Sequence, residues 1–207
     1  MGGIMVDQDI RYQRVYDKFH PKILQYLIRI TGSQKDAENL TEKVFREVNK
    51  SLYTFKGKSS LPTWIYRIAT NAALDKMRRL SFKKGQQKTQ SDELKPEQIK
   101  DGNFRSRGKG PAPDDNAIQT EVNSCIRKIM EEIPGTYKIA LVLSELEGLK
   151  NREIGNVLDL NPDTVTFRLH RTREKIRKKL KARFELLGTD INGYTYDLKS
   201  VFGDPKE

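Results

Sequence analysis

The sequence predicts an all-α protein: two small helical domains joined by a flexible linker, the C-terminal one a four-helix domain with a helix-turn-helix. Three observations predict it. Apolar residues recur at helical spacing through most of the chain, and no segment of useful length alternates as a strand would. Residues 81–116, "SFKKGQQKTQSDELKPEQIKDGNFRSRGKGPAPDDN", are poor in large apolar side chains and rich in Gly, Pro, Gln, Lys and Asp, so they have nothing from which to build a core. Finally, "GLKNREIGNVLDLNPDTVTFRLHRTREKI" reads as a stop at Gly148, a short helix, a tight turn and a second helix. The expected divisions are a first domain over 9–80, the linker over 81–116, a second domain over 117–187 and a tail over 188–207.

In the first domain, Tyr12, Val15, Tyr16 and Phe19 mark an amphipathic helix, Pro21 restarts it, and Ile23, Leu24, Leu27 and Ile30 continue a packed face. Ser33 followed by Asp36 resembles a capping box. The next helix packs Ala37, Leu40, Val44, Val48 and Leu52. After the polar loop "FKGKSS", Pro62 opens a third helix with Ile65, Ile68, Ala69 and Ala72 inward.

In the second domain, Ile118, Val122, Ile126, Ile129 and Ile133 line one helix, and "TYKIALVLSEL" forms the next. A short helix then runs from about Arg152 to Leu158, and Asp159 to Asn161 make the turn. Asn161 is a good N-cap and Pro162 a good first residue for the last helix. There Val165, Leu169, Thr172, Ile176 and Leu180 recur at steps of 4, 3, 4 and 4, one helix face. Arg168, Arg171, Arg173 and Lys175 are expected off that stripe, and from Val165 to Glu185 nine Lys or Arg stand against two Glu. Such a run also suits a solvated helix face, and the helix pair a purely structural hairpin. A helix-turn-helix explains both faces at once: one docks on the bundle, the other presents side chains to the major groove.

The 207 residues carry a net charge of +11, with 36% hydrophobic and 32% charged residues, which points to a polyanionic partner, nucleic acid first and an anionic membrane surface second. No apolar run approaches about 18 residues, and "MGGIMVDQDI" has neither a signal-peptide pattern nor a Ser or Thr at position 6 for myristoylation. Membrane insertion is therefore not expected, and the cytoplasm is the consistent compartment. The single cysteine, Cys125, falls at a core-phase position and reads as a buried thiol.

Catalytic signals are sparse. His20 and His170 lie in different domains with no ligand partners at metal spacing, and no glycine-rich phosphate loop follows a strand, so neither cofactor nor enzyme activity is expected. Asp36, Glu38 and Glu42 share one helix; an acidic outer face or a protein-docking role suits them better than catalysis. In "TFKGKSSLPTWIYRIATNAALDKMRR", Phe55, Trp64 and Tyr66 interleave with Lys56, Lys58, Arg67, Lys76, Arg78, Arg79 and Asn71. Aromatic faces beside cations suit unstacked bases and their backbone, although Trp64 on its own also fits a core position.

Taken in order, "YDKFHPKILQYLIRITGSQKDAENL", "KSLYTFKGKSSLPTWIYRIATNAALDKMRR" and "IPGTYKIALVLSELEGLKNREIGNVLDLNPDTVTFRLHRTREKIRKKL" resemble an extracytoplasmic-function (ECF) RNA polymerase sigma factor. The resemblance covers about Tyr12 to Leu80 and Val122 to Lys181; "PTWIYRIATNAALD" is its most specific part, whereas the helix-turn-helix is shared with many bacterial regulators. It implies an alternative initiation factor in which sigma domain two binds core RNA polymerase and opens the −10 element, while sigma domain four reads the −35 element of promoter DNA. An anti-sigma factor is an implied partner.

Carried over by position, "DAENLTEKVF" implies a polymerase-docking helix with Asp36, Asn39, Leu40, Glu42, Lys43 and Phe45, Leu40 and Phe45 being expected as exposed apolar anchors. Asn39, Glu42 and Lys43 depart from the commoner Asp, Gln and Glu. At the −10 element the resemblance implies Asn71 in a flipped-base pocket capped by Lys56 to Leu61, giving Lys56, Lys58, Ser59, Ser60, Leu61, Trp64, Arg67, Asn71, Lys76, Arg78 and Arg79 as contact residues. At the −35 element it implies Thr166, Phe167, Arg168, His170, Arg171, Lys175, Lys178 and Lys179. Thr166 stands where the family often has a basic residue and Phe167 where Ser is common, which implies a shifted −35 preference. The rival reading is a stand-alone helix-turn-helix regulator that binds duplex DNA without polymerase.

Overall fold

A computed structural model describes residues 2–83, 115–186 and Leu198. Among these the chain forms seven α-helices and one 3-10 turn: α1 (Gly2–Thr31), α2 (Gln34–Ser51), the turn Leu52–Thr54, α3 (Leu61–Lys83), α4 (Asp115–Glu131), α5 (Gly135–Glu145), α6 (Asn151–Leu158) and α7 (Pro162–Leu186). Most of the predicted linker and all of the predicted tail except Leu198 lie outside the described residues. Leu198 is buried.

The first half is built on the expected stripes. Val15, Phe19, Ile23, Leu27 and Ile30 of α1 are buried. Pro21 does not restart the helix; α1 is continuous through it. A proline removes one amide donor, and here the buried face stays in phase on both sides of it, so packing holds the helix across the gap. Gly32, at φ +70°, turns the chain out of α1, and Ser33 caps α2 by accepting the Asp36 amide at 3.3 Å. Ser60 does the same for α3, accepting the Thr63 amide at 3.2 Å. Ile65, Ala69 and Ala73 then face inward.

In the second half, Val122, Ile126, Ile129 and Ile133 are buried, and Tyr137 and the run Ile139–Leu143 of α5 form the centre. Cys125 is a buried free thiol, and burial pushes it up from its ordinary pKa. Gly148, at φ +67°, follows α5 as predicted. The link between α6 and α7 is very tight. Asp159 adopts the left-handed conformation at φ 58°, the Leu160 amide donates to the Gly155 carbonyl at 2.9 Å, and a Cβ on Gly155 would lie 2.6 Å from the Leu160 carbonyl oxygen. Only glycine fits there. Asn161 caps α7, its side-chain oxygen accepting the Thr164 amide at 2.7 Å, and Val165, Leu169, Thr172, Ile176 and Leu180 are all buried.

The halves also pack on one another, α6 against α3 and α5 against α1 and α3. At the seam, Glu147, just after α5, accepts from Arg29 of α1 at 3.0 Å and from the Tyr66 hydroxyl of α3 in a short hydrogen bond. Both ion-pair side chains are buried, at 7% and 8% exposure. Thr63 donates to Glu153 of α6 at 3.4 Å, and Tyr26 shares a 2.6 Å hydrogen bond with Thr70 behind the seam. Burial pushes the Glu147 carboxyl up, against the opposing pull of the Tyr66 hydrogen bond and the Arg29 and Lys22 charges. It pushes the Tyr66 phenol up as well, reinforced by the Glu147 charge, so that hydroxyl stays protonated and donates.

Candidate nucleic-acid interface

Three helices carry the predicted contacts, and their geometry sorts the residues into those facing solvent and those committed elsewhere. On α7 the inward stripe leaves Thr166, Phe167, His170 and Lys178 exposed and Arg171 half-buried. Phe167 is 52% exposed, and the Arg171 guanidinium carbon lies 4.8 Å from its ring centroid. The Thr166 hydroxyl accepts from Asn151 of α6 at 2.8 Å and donates to the Pro162 carbonyl at 2.9 Å.

Arg168 corrects the expectation that it points outward. It is 5% exposed, and its guanidinium lies over the Tyr137 ring of α5 at 5.2 Å. Its position three residues after Val165 and four before Thr172 already put it on the inward phase. Lys175 and Lys179 flank the stripe and turn back to Glu132, after α4: Lys175 reaches its carbonyl at 3.5 Å, and Lys179 forms an ion pair with its carboxylate. Partial burial and then the Lys179 charge lower the Lys175 pKa, with Glu132 opposing. Arg173 pairs with Glu145 and Arg183 with Glu121 at 3.2 Å, so much of the basic run is balanced within the fold.

On α3, Arg67, Asn71, Arg78 and Arg79 are exposed, as are Lys56 and Lys58 in the loop before it, while Ser59 and Leu61 are half-buried. Trp64 is half-buried, its ring 5.0 Å from that of Phe55, so it combines packing with an accessible edge. Ser60 is exposed, but its hydroxyl is engaged as the helix cap and with Thr63 Oγ1 at 2.7 Å. Lys76 pairs with Asp36 of α2 at 2.5 Å, and Arg78 with Asp75 at 3.4 Å. Tyr66, expected in the aromatic and basic constellation, belongs instead to the seam.

On α2, Asn39, Glu42 and Lys43 are exposed and Asp36 half-buried. Leu40 and Phe45 are not exposed anchors: they are 4% and 2% exposed. The Phe45 ring meets Tyr16 edge-on at 5.0 Å and lies 5.4 Å from His20, holding α2 against α1. Of the residues that make the seam, Tyr66 was expected from sequence in the aromatic and basic constellation, whereas Arg29 and Glu147 were not singled out. Arg29, next to Ile30 on a packed helix, is the one with a visible signal. Among the described residues no helix is long and apolar enough to cross a membrane, and no group of three His, Cys, Asp or Glu could hold a metal ion.

An exposed basic face on the second helix of a helix-turn-helix defines a DNA-binding class of protein, and comparison with known proteins gives the family. The model for Sigma-70 region 2 matches residues 15–82 and that for Sigma-70, region 4 matches residues 123–176, together more than half of the chain. The chain is 29% identical over 185 residues to the ECF RNA polymerase sigma factor SigW of Bacillus subtilis (strain 168), covering 84% of this chain and 91% of that one. It is 29% identical over 167 residues to the ECF RNA polymerase sigma-E factor of Escherichia coli (strain K12), covering 79% and 83%. In fold it is similar to the sigma factor RpoE from Bartonella quintana, solved with the anti-sigma factor NepR, at TM-score 0.59 and 17% identity over 83% of this chain and 97% of that one. The chain belongs to the ECF RNA polymerase sigma factors, and it is an alternative transcription initiation factor.

Proposed function

We propose that this sigma factor binds core RNA polymerase through the exposed face of α2, reads the −35 element of promoter DNA with α7, and engages the −10 element with α3 and the loop before it. The domains that do so are residues 9–80 and 117–187. The protein acts in the cytoplasm, carries out no catalytic step of its own, and has an anti-sigma factor as a regulatory partner. RpoE, similar in fold, was solved with such a factor.

The observation that carries the reading is the presence in one chain of two differently equipped helices. The outward residues of α7 suit duplex DNA: Phe167, His170, Arg171 and Lys178 project from the helix that follows the tight turn. Those of α3 suit separated strands, with Arg67 and Asn71 exposed on the helix whose Trp64 pairs with Phe55 of the preceding loop. Asn71 supplies a side-chain amide for an extruded base, and Lys56, Lys58, Arg78 and Arg79 supply charge for the backbone. On α2, Asn39, Glu42 and Lys43 offer a polar face to polymerase, while Leu40 and Phe45 hold that helix in place.

The test is transcription in vitro from a randomised promoter library with core polymerase, with and without the protein. Protein-dependent transcripts sharing two motifs at fixed spacing are expected. Tight sequence-specific duplex binding by the free chain, with no effect on polymerase, would instead support a stand-alone regulator.

A further inference from the structure

Phe167 is unusual for its place. Among the described residues it is one of five large hydrophobic side chains left exposed, and the only one of these on the α7 face that otherwise presents His170, Arg171 and Lys178. The helix has inward positions available, filled by Val165, Leu169 and Thr172, so Phe167 is outward by its place in the helical repeat and not for want of a core. Its neighbours in the chain are spoken for: the Thr166 hydroxyl is held between Asn151 and Pro162, and Arg168 is buried over Tyr137. One turn on, the Arg171 guanidinium lies against the ring at 4.8 Å and restrains it.

A phenyl ring offers no hydrogen bond, so it cannot read the donor and acceptor pattern of base edges. In the major groove the apolar feature available to it is the 5-methyl group of thymine. We propose that Phe167 is a specificity-determining residue that packs on the methyl group of a thymine in the −35 element, its ring held in position by the stacked Arg171. This rests on the reading of α7 as the −35 helix and adds a base to it: the preferred element contains a thymine whose methyl group, and not only its hydrogen-bonding edge, contributes to binding.

The experiment uses the protein assembled with core polymerase. The preferred −35 element is first selected from a randomised pool, and each thymine on both strands is then replaced singly by uracil, which removes the methyl group and nothing else. One position is expected to lose about fourfold in affinity, the worth of one buried methyl-sized group. Phe167→Ala should bind thymine and uracil equally at that position, while Phe167→Leu, which keeps an apolar side chain, should retain part of the difference. Because Phe167 is exposed, both variants should fold and melt as the parent does. If uracil is tolerated at every position, or if Phe167→Ala still discriminates against it as the parent does, the inference is overturned while −35 recognition stands. If scrambling the whole −35 element leaves binding unchanged, the underlying reading of α7 falls as well.

Discussion

Helices α3 and α7 both carry basic residues, five on α3 and nine on α7, and use them differently. On α7 several of the charges are drawn back into the fold, Arg173 to Glu145, Lys179 to Glu132, Arg183 to Glu121 and Arg168 to the Tyr137 ring, while Arg177, Lys178 and Lys181 stay exposed. On α3, Arg67 and Arg79 face solvent, Lys76 and Arg78 pair with Asp36 and Asp75, and the polar residues of the inner face, Thr63 and Tyr66, join the two halves. A basic run therefore overstates the charge free to meet phosphate. The acidic partners of α7 sit 28 to 62 residues earlier in the chain, beyond the reach of any local pattern.

Substitutions can break or sharpen this comparison, beginning with the seam. Glu147→Ala leaves the buried Arg29 without its carboxylate, and loss of one partner of a buried pair costs roughly 3–5 kcal/mol. Urea denaturation should show that loss, together with a scattering profile of greater extent as α6 separates from α3. The seam is also linked to pH. Because burial raises the Glu147 pKa, the folded state holds that proton more tightly than the unfolded chain. Its contribution is fully present below the ordinary carboxylate value and is lost as pH rises through the raised one. Glu147→Gln removes this titration, so its melting temperature should decline less than the parent's as pH rises above the ordinary carboxylate value. An identical slope would mean that Glu147 does not titrate at the seam.

Leu40→Ala in α2 should destabilise the first half by about 2–5 kcal/mol, as a buried leucine does, and polymerase binding should fall only as folding falls. Glu42→Lys, on the exposed face of the same helix, should give the opposite result: an unchanged melt and weakened capture by core polymerase. A folded Leu40→Ala protein with a specific polymerase defect would return Leu40 to the docking surface.

Gly155→Ala places a Cβ 2.6 Å from a backbone oxygen, and overpacking of this kind costs about 1–3 kcal/mol. The α6–α7 turn should loosen, and promoter binding should weaken although no DNA-facing side chain has changed. Amide exchange at Leu160 would report it, since that proton is held by the Gly155 carbonyl.

Within α7, Arg168→Ala should lower stability and Arg171→Ala should not. If Arg171 reads a base, its loss should cost about 1–3 kcal/mol of −35 binding and relax preference at one position. The smallest contrast is between two neighbouring lysines. Lys178→Ala should weaken binding evenly across sequences and reduce the salt slope by about one, whereas Lys179→Ala, already paired with Glu132, should change the slope less. Equal slopes for the two would show that the Glu132 pair opens on DNA.

The sequence by itself determined the all-helical class, the caps at Ser33 and Asn161, the stop at Gly148, the turn from Asp159, and the inward stripe of α7. Each depends on residues within about a turn or two of one another, where helical periodicity and capping chemistry are local. It also carried the family, through motifs contiguous in the chain. Only the tertiary structure decided which charges remain free, because Glu121, Glu132 and Glu145 reach α7 through the packing of α4 and α5. It decided that Leu40 and Phe45 are core, since their exposure depends on α1 lying against them. It decided that α1 continues through Pro21, where burial on both sides outweighs one missing hydrogen bond. And it joined Arg29, Tyr66 and Glu147 across the seam, a contact between side chains 81 and 118 residues apart. No helical repeat spans such separations; they close only when whole helices pack.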